Sequence, residues 1–159
     1  MSDTHPAPTR VQTLIAFAAV ILLGLSAGAL LGEGAVLVPL WQTMEPRVFL
    51  AWYEDNAAML FDFFGPLEIV ATTVTIIAAI PYALRRRAGA MWLVLAALLS
   101  VAVLVTFPLY FKDVNISFAT ATIPLENVSQ ELVRWGAWHW SRVALSLGAF
   151  VASALALRR

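Results

Sequence analysis

The sequence predicts an all-α fold: an integral membrane four-helix bundle with a short interfacial helix and apolar outer loops. Of its 159 residues, 61% are hydrophobic and 13% are charged, and the mean hydropathy is +0.82. A soluble domain of this length cannot bury so much apolar surface. In addition, four apolar runs reach the length of about 20 residues that a helix needs to cross the hydrocarbon core. We therefore expect most apolar residues to face lipid.

The four spans form one predicted transmembrane domain, residues 11–159, after a polar stretch, residues 1–10, that is expected to be disordered and cytoplasmic. The spans cover about residues 11–31, 63–84, 91–111 and 135–157. The first run is longer than the apolar core of a signal peptide, about 7–15 residues, so we interpret it as a retained helix. The interfacial helix is predicted over Arg47–Met59, which contains Trp52 and Tyr53.

The arginines predict the orientation. With four spans, most of them fall on one side, namely Arg10, Arg85, Arg86, Arg87, Arg158 and Arg159. The positive-inside rule then places both termini and the triple-arginine turn in the cytoplasm. The apolar segments Gly32–Asp62 and Lys112–Arg134 become outer loops that fold back over the helix ends. Nine Arg to one Lys, with abundant Ala and Leu, is typical of a high-GC bacterium, so the plasma membrane is the expected location.

Charge and composition exclude several classes of function. The net charge is zero and no basic stripe remains beyond the membrane-flanking arginines, which argues against a nucleic-acid partner. The chain has no cysteine, which excludes disulfides and Cys-ligated metal centres. We predict no metal site, and the lipid bilayer is the first expected partner.

The fourth span begins with a conspicuous polar and aromatic motif. Helical spacing puts five of its side chains on one face: Trp135, Trp138, His139, Arg142 and Ser146. Ionisable residues inside a membrane helix are costly and usually face the bundle interior, so His139 and Arg142 form a functional-site hypothesis. The alternative is that Arg142 extends to the outer head groups and His139 is a packed interfacial residue.

Glu68 is the second ionisable residue placed inside a span. Thr72 and Thr75 follow it at helical spacing, so these side chains either join the site or bond neighbouring helices. An unpaired carboxylate in the bilayer is unfavourable, and both Arg142 and His139 could pair with Glu68. The sequence leaves that choice open.

Glycines and tryptophans add two further expectations. The spacing of Gly24, Gly28 and Gly32 favours close helix packing, within the bundle, in a homo-oligomer or with a partner helix. Glu33 follows them and is interpreted as a solvated residue at the helix end. Five of the six tryptophans fall in the outer half, which indicates an aromatic-lined pocket or an aromatic belt: Trp41, Trp52, Trp135, Trp138 and Trp140.

The stretch Thr106-Phe-Pro108, Val114-Asn115 and Trp135-Gly-Ala-Trp138-His139-Trp-Ser-Arg142 resembles the anthrone-oxygenase-like family of small four-helix membrane proteins. Lys112 and Asp113, which precede Val114-Asn115, are charged, whereas the family has more apolar residues at these positions. The resemblance implies a cofactor-independent oxygenase that acts on a lipophilic aromatic, anthrone-like substrate in an outer-half pocket.

On that reading His139 is the base, and its ordinary pKa of about 6.5 suits proton removal. Arg142 and Asn115 stabilise the anion, and Glu68 holds Arg142 or orients His139. The substrate-binding residues are Trp135, Trp138, Thr72 and Trp52. Two other functions remain open: an accessory membrane subunit docked through its glycines, and a quinone- or lipid-binding protein without catalysis. Whether the chain is an enzyme is therefore left open.

Overall fold

The structure, a computed structural model, describes residues 8–158 and is helical throughout, with no strand in that part of the chain. Its α-helices are α1 (Arg10–Gly32), α2 (Val38–Thr43), α3 (Pro46–Leu84), α4 (Ala90–Thr106), α5 (Lys112–Ala119) and α6 (Leu125–Ala156). Two π-helical segments, Glu33–Leu37 and Phe107–Phe111, join α1 to α2 and α4 to α5. The predicted all-helical fold is confirmed.

The helices form a four-membered ring. Helix α1 packs against α3 and α6, and α4 packs against the same two helices, so α1 and α4 lie diagonally opposite. Within the described residues, three helical stretches are long and apolar enough to cross a membrane: Arg10–Thr43, Pro46–Leu84 and Ala90–Ala119. These stretches indicate a membrane protein. Helix α6 is not among them, because its first turns are polar and it carries His139 and Arg142.

The segments expected as outer loops are mostly helical. Only Met44–Glu45 separates α2 from α3, and only Thr120–Pro124 separates α5 from α6. The predicted interfacial helix at Arg47–Met59 is not a separate helix, because it continues into the second span as the 39-residue α3. Helix satisfies the backbone N–H and C=O groups of an apolar segment that water cannot reach, so extension of the spans is favoured over loops. Pro66 lies inside α3 without ending it.

The two π-helical segments coincide with prolines. Pro39 is the second residue of α2, two positions after the first segment ends, and Pro108 lies within the second segment. Proline has no N–H to donate and its ring crowds the preceding turn, so the regular α pattern is interrupted there. Such interruptions often occur at functional sites. Here each segment contributes a buried side chain to the interior of the bundle, Glu33 from the first and Phe111 from the second.

The two ends of the bundle differ in composition. One end, which we call the aromatic end, is filled by large packed rings, namely Trp41, Phe49, Tyr53, Phe118 and Trp135. At the other end, the arginine end, the start of α1 meets the turn Arg85–Gly89 and the last residues of α6. Next to this end the core consists mainly of small side chains: Ala16, Ala19, Ala78, Ala79 and Ala156.

The arginine end is closed by specific contacts. Arg87 is buried and donates a hydrogen bond to Gln12 near the start of α1. Gly89 has a φ of +84°, and a Cβ there would lie 2.6 Å from the carbonyl oxygen of Ala156. Thr9 caps α1, which begins at Arg10. The stretch predicted to be disordered, residues 1–10, is thus helical at its last residue, and residues 1–7 lie outside the described part of the chain.

Candidate functional site

His139 belongs to a buried polar cluster, which also contains Glu33, Glu68 and Arg142 and is called the His139 cluster below. His139 is fully buried on α6, and its Nε2 lies 2.8 Å from the carbonyl oxygen of Leu30 in α1. A carbonyl oxygen can only accept a hydrogen bond, so Nε2 carries the proton and donates it. In the neutral ring Nδ1 then presents a lone pair. This nitrogen is buried without a hydrogen-bond partner among the described residues.

Glu33 faces that free nitrogen. Its Oε2 lies 3.6 Å from Nδ1 of His139, and the side chain is 6% exposed. The expectation that Glu33 is a solvated helix-end residue is therefore wrong. The chain continues past Gly32 as helix rather than loop, and α6 packs over this segment, so the carboxyl group is enclosed.

Gly34 makes the approach of His139 to α1 possible. A Cβ at this position would lie 3.0 Å from Cδ2 and 3.2 Å from Nε2 of the His139 ring. Contacts at 3.0 Å are shorter than side-chain carbons tolerate without displacement. The absence of a side chain at Gly34 therefore allows the ring to reach the Leu30 carbonyl.

Arg142 pairs with Glu68. Its Nη2 donates a hydrogen bond to Oε1 of Glu68, and both side chains are buried. The guanidinium also lies over the ring of Phe111, 4.7 Å from its centroid. Of the two pairings that the sequence left open for Glu68, the structure contains the one with Arg142.

The charges of this cluster balance as a group. Glu33 lies within electrostatic range of both Arg142 and Glu68. Glu68 and Arg142 neutralise each other, so Glu33 and His139 are left with one shared proton between them. Either both are neutral or the carboxylate faces an imidazolium, and each arrangement keeps the net charge at zero. An isolated buried charge would be far more costly than either.

Trp135 and Asn115 hold the imidazole from the other side. The indole of Trp135 stacks on His139 with ring centroids 5.0 Å apart and an interplanar angle of 7°. Its Nε1 donates to Oδ1 of Asn115 over 2.9 Å. Asn115 on α5 therefore acts on His139 indirectly, through the position of Trp135.

The other predicted site residues lie further from His139. Trp138 is 38% exposed, at the margin of the buried face of α6, and stacks on Tyr110. Trp52 is half-buried and contacts Trp41, which in turn contacts Trp135. The aromatic rings at this end pack on one another rather than around an open pocket.

Thr72 lines a small cavity in the middle of the bundle. All four long helices contribute polar side chains to its wall: Ser26, Glu68, Thr72, Ser100 and Ser146. Its volume of about 10 Å³ is no more than one water molecule requires. Thr72 also lies within hydrogen-bond distance of the Ser100 carbonyl, at 3.4 Å, so it links α3 to α4.

The three regularly spaced glycines, Gly24, Gly28 and Gly32, lie in two different environments. Gly24 faces Phe150 of α6, where an added Cβ would lie 3.1 Å from the ring. Gly28 and Gly32 are exposed and have no atom within 4 Å of an added Cβ. Packing within the bundle therefore accounts for Gly24, and a partner helix at Gly28 and Gly32 stays a prediction.

Sequence reasoning missed Glu33, Gly34 and Tyr53 as members of the site. Tyr53 is buried on α3 within electrostatic range of Glu33 and Arg142. One available signal was the position of Glu33 at the same predicted depth as Glu68 and Arg142. Among residues 8–158, no three His, Cys, Asp or Glu side chains are grouped in a way that could hold a metal ion.

Fold and site together define a class: a helical membrane protein with a buried histidine, two acids and an arginine at one end of a four-helix bundle. The family described as Anthrone oxygenase matches residues 57–152, more than half of the chain. The chain therefore belongs to the anthrone oxygenase family, as the motif of α6 indicated. Curated proteins and solved structures gave no match. Membership supports an oxygenase-like function at the level of the family.

Proposed function

We propose that this chain is a membrane-embedded, cofactor-independent oxygenase that acts on a lipophilic, flat aromatic substrate with an acidic C–H bond. The observation that carries the proposal is the free Nδ1 of His139. It is a buried basic nitrogen without a partner among the described residues, next to a carboxyl group. Membership of the family favours a substrate of the anthrone type.

His139 is the proposed general base. Its Nε2–H is held by the Leu30 carbonyl, which fixes the tautomer and leaves Nδ1 to accept a proton. Glu33 lies beside the same nitrogen and stabilises the imidazolium that forms. The cluster is neutral before it takes up the proton, so it carries one positive charge afterwards. The substrate anion is the negative charge that balances it.

Arg142 is the proposed electrostatic stabiliser of that anion. Its pairing with Glu68 holds the guanidinium inside the bundle, where a preorganised positive charge acts more strongly than in water. Asn115 positions Trp135, and Trp135 offers a flat face of the kind that also stacks on an aromatic substrate. Trp138, Trp52 and Thr72 lie outside this cluster, so their proposed contacts with substrate are at its edge.

The proposed reaction balances without a metal or organic cofactor. The substrate CH₂ group loses a proton to His139, and the resulting carbanion combines with dioxygen to give a peroxide after proton return. Loss of water from the peroxide leaves a carbonyl group. Overall, one CH₂ and one O₂ give one C=O and one H₂O, and the substrate carbon is oxidised while oxygen is reduced.

The bilayer location supports a lipid-soluble substrate. We propose that α6 is a fourth span and that the arginine end faces the cytoplasm of a bacterial plasma membrane, because Arg10, Arg85, Arg86 and Arg158 are gathered there. The cysteine-free chain makes this testable. A cysteine at Thr122 should react with an impermeant maleimide in intact cells, and one at Ala88 should react only after lysis.

The test of function is oxygen uptake by the purified chain with a simple anthrone, measured together with quinone absorbance. His139→Ala should lower kcat/KM roughly 10²- to 10⁴-fold, the usual contribution of a general base. Ser141→Ala changes an exposed position only two residues further along α6 and should leave turnover unchanged. Turnover that survives in His139→Ala would remove the proposal.

Two other outcomes would assign other functions. A bound aromatic molecule without oxygen uptake would make the chain a lipophile-binding protein. Co-purification with other chains, together with indifference to changes at His139 and Arg142, would make it an accessory subunit.

A further inference from the structure

A groove runs between α3 and α4 on the lipid-facing side of the bundle, away from the His139 cluster. Four residues from each helix line it at helical spacing: Ile76, Ala79, Ile80 and Ala83, and Val94, Ala97, Leu98 and Val101. Its volume is about 310 Å³, and every lining residue is apolar. A hydrocarbon chain fits this chemistry, whereas a polar ligand would find no hydrogen-bond partner among these side chains.

The groove has its shape because small residues form its floor and large ones its walls. Ala79 is 5% exposed, whereas Ile80 is 51% and Leu98 63% exposed. Eight residues of helix rise about 10 Å, which gives the groove its length. Its axis follows the helices, the direction in which lipid chains also run.

The groove leads to the arginine end. Ala83 belongs to its lining, and Arg85 follows two residues later. Arg85 and Arg86 are exposed, whereas Arg87 is buried and bonded to Gln12. Two arginines are therefore free to meet a ligand.

The surrounding charge has one sign. Residues 69–111, which include the groove lining and the turn, contain three basic residues, Arg85, Arg86 and Arg87, and no Asp or Glu. Helix α4 begins at Ala90 without a side-chain cap, so its N-terminal N–H groups add positive potential at the same place. Within the described residues, an anionic head group there would meet cations without competition from a neighbouring carboxylate.

We propose that this groove and the exposed arginines form a binding site for an anionic phospholipid. One acyl chain occupies the groove, and the phosphate lies at Arg85 and Arg86. Basic clusters at the membrane surface next to spanning helices attract anionic lipids in this way. The site is separate from the His139 cluster and does not depend on the proposed oxygenase activity.

The test is native mass spectrometry of the full chain in detergent, titrated with phosphatidylglycerol or with phosphatidylcholine of identical acyl chains. Wild type should retain phosphatidylglycerol about tenfold more tightly, because two arginines face the phosphate. The double variant Arg85→Gln/Arg86→Gln should bind the two lipids equally. Ala83→Phe should lose both, since the ring fills the groove from an exposed position.

Three controls match these variants. Arg158→Gln removes an exposed charge at the same end, and Ala144→Phe adds a ring at an exposed position of α6 outside the groove. Both should bind lipid as wild type does, and so should His139→Ala, which separates this site from the catalytic one. Circular dichroism and gel filtration should be unchanged in Ala83→Phe.

The proposal is overturned if wild type retains the two lipids equally, since the groove would then hold any bilayer lipid. It is also overturned if the arginine variants keep the preference for phosphatidylglycerol. A dimer that Ala83→Phe dissociates would assign the groove to a second copy of the chain instead.

Discussion

The two ends of the bundle are packed with side chains of very different size. At the arginine end, alanines let the helices approach closely, and a tight turn with a glycine at positive φ closes the structure. At the aromatic end, large rings separate the helices and leave interior positions for His139, Arg142, Glu68 and Glu33. Buried ionisable groups need partners at fixed distances, and stacked rings supply rigid supports for them.

The two ends are thus stabilised by different kinds of interaction. The arginine end depends on backbone contacts, because its small side chains cannot rearrange to relieve a clash. The aromatic end depends on polar pairing, because each charge there is stabilised mainly by its partner. Substitutions should therefore fail for different reasons at the two ends.

The largest effect is expected at the buried ion pair. Arg142→Met removes the partner of Glu68 and leaves a carboxylate in the interior, which should cost about 3–5 kcal/mol of unfolding free energy. The double variant Arg142→Met/Glu68→Leu should recover most of that loss, because no unpaired charge remains. Denaturation of the purified protein in mixed micelles measures both.

Arg134→Met is the matched control for Arg142. Arg134 lies on the same helix and pairs with Glu131, but its side chain is 59% exposed. Exposed pairs contribute little, so its unfolding free energy should stay close to that of wild type. Equal losses from the two single variants would show that burial does not set the strength of the Arg142 pair.

A smaller effect is expected at the arginine end, from Gly89→Ala. The φ of +84° is unfavourable for alanine, and the new Cβ would lie 2.6 Å from the Ala156 carbonyl oxygen. Strained backbone of this kind costs about 1–3 kcal/mol, seen as a lower melting temperature. Gly28→Ala, which meets no atom within 4 Å, should melt at or slightly above the wild-type temperature. Similar losses at both glycines would contradict the contrast between a closed and an open position.

The smallest effect is expected at Asn115. Asn115→Ala removes the acceptor of the Trp135 N–H group and should cost about 1 kcal/mol in thermal unfolding. Asn115→Asp keeps an acceptor oxygen and should restore most of the stability. If Asn115→Ala also lowers turnover while Asn115→Asp does not, Asn115 acts through the position of Trp135. Full turnover in both variants would reduce Asn115 to a packing role.

Several features could be read directly from the sequence. The apolar runs and their breaks predicted the four long helices and the short turn after Leu84, because lipid-facing helices need long uninterrupted apolar stretches. The motif of α6 indicated the family, and helical spacing brought His139, Arg142 and Trp135 to one face. These features depend on neighbours along the chain.

Other features required the tertiary structure. Helical extension through the expected loops depended on the packing of α2 and α5 over the bundle, which periodicity does not report. The choice of Arg142 as the partner of Glu68, and of Glu33 as the neighbour of His139, depended on distances between helices. The role of Gly34 could be recognised only from the position of the His139 ring, which lies against Gly34. The ring's acceptor, Leu30, is 109 residues away from His139 in sequence.

The physical reason for this division is the range of the forces involved. Burial of apolar surface and helix formation are set by residues within a few turns of one another. The sequence by itself therefore determined an all-helical membrane protein and the helix face that carries His139 and Arg142. The pairing of buried charges is set by sub-ångström fit between helices that are far apart in sequence. Only the tertiary structure could decide which acid faces which cation, and thereby which nitrogen of His139 is free.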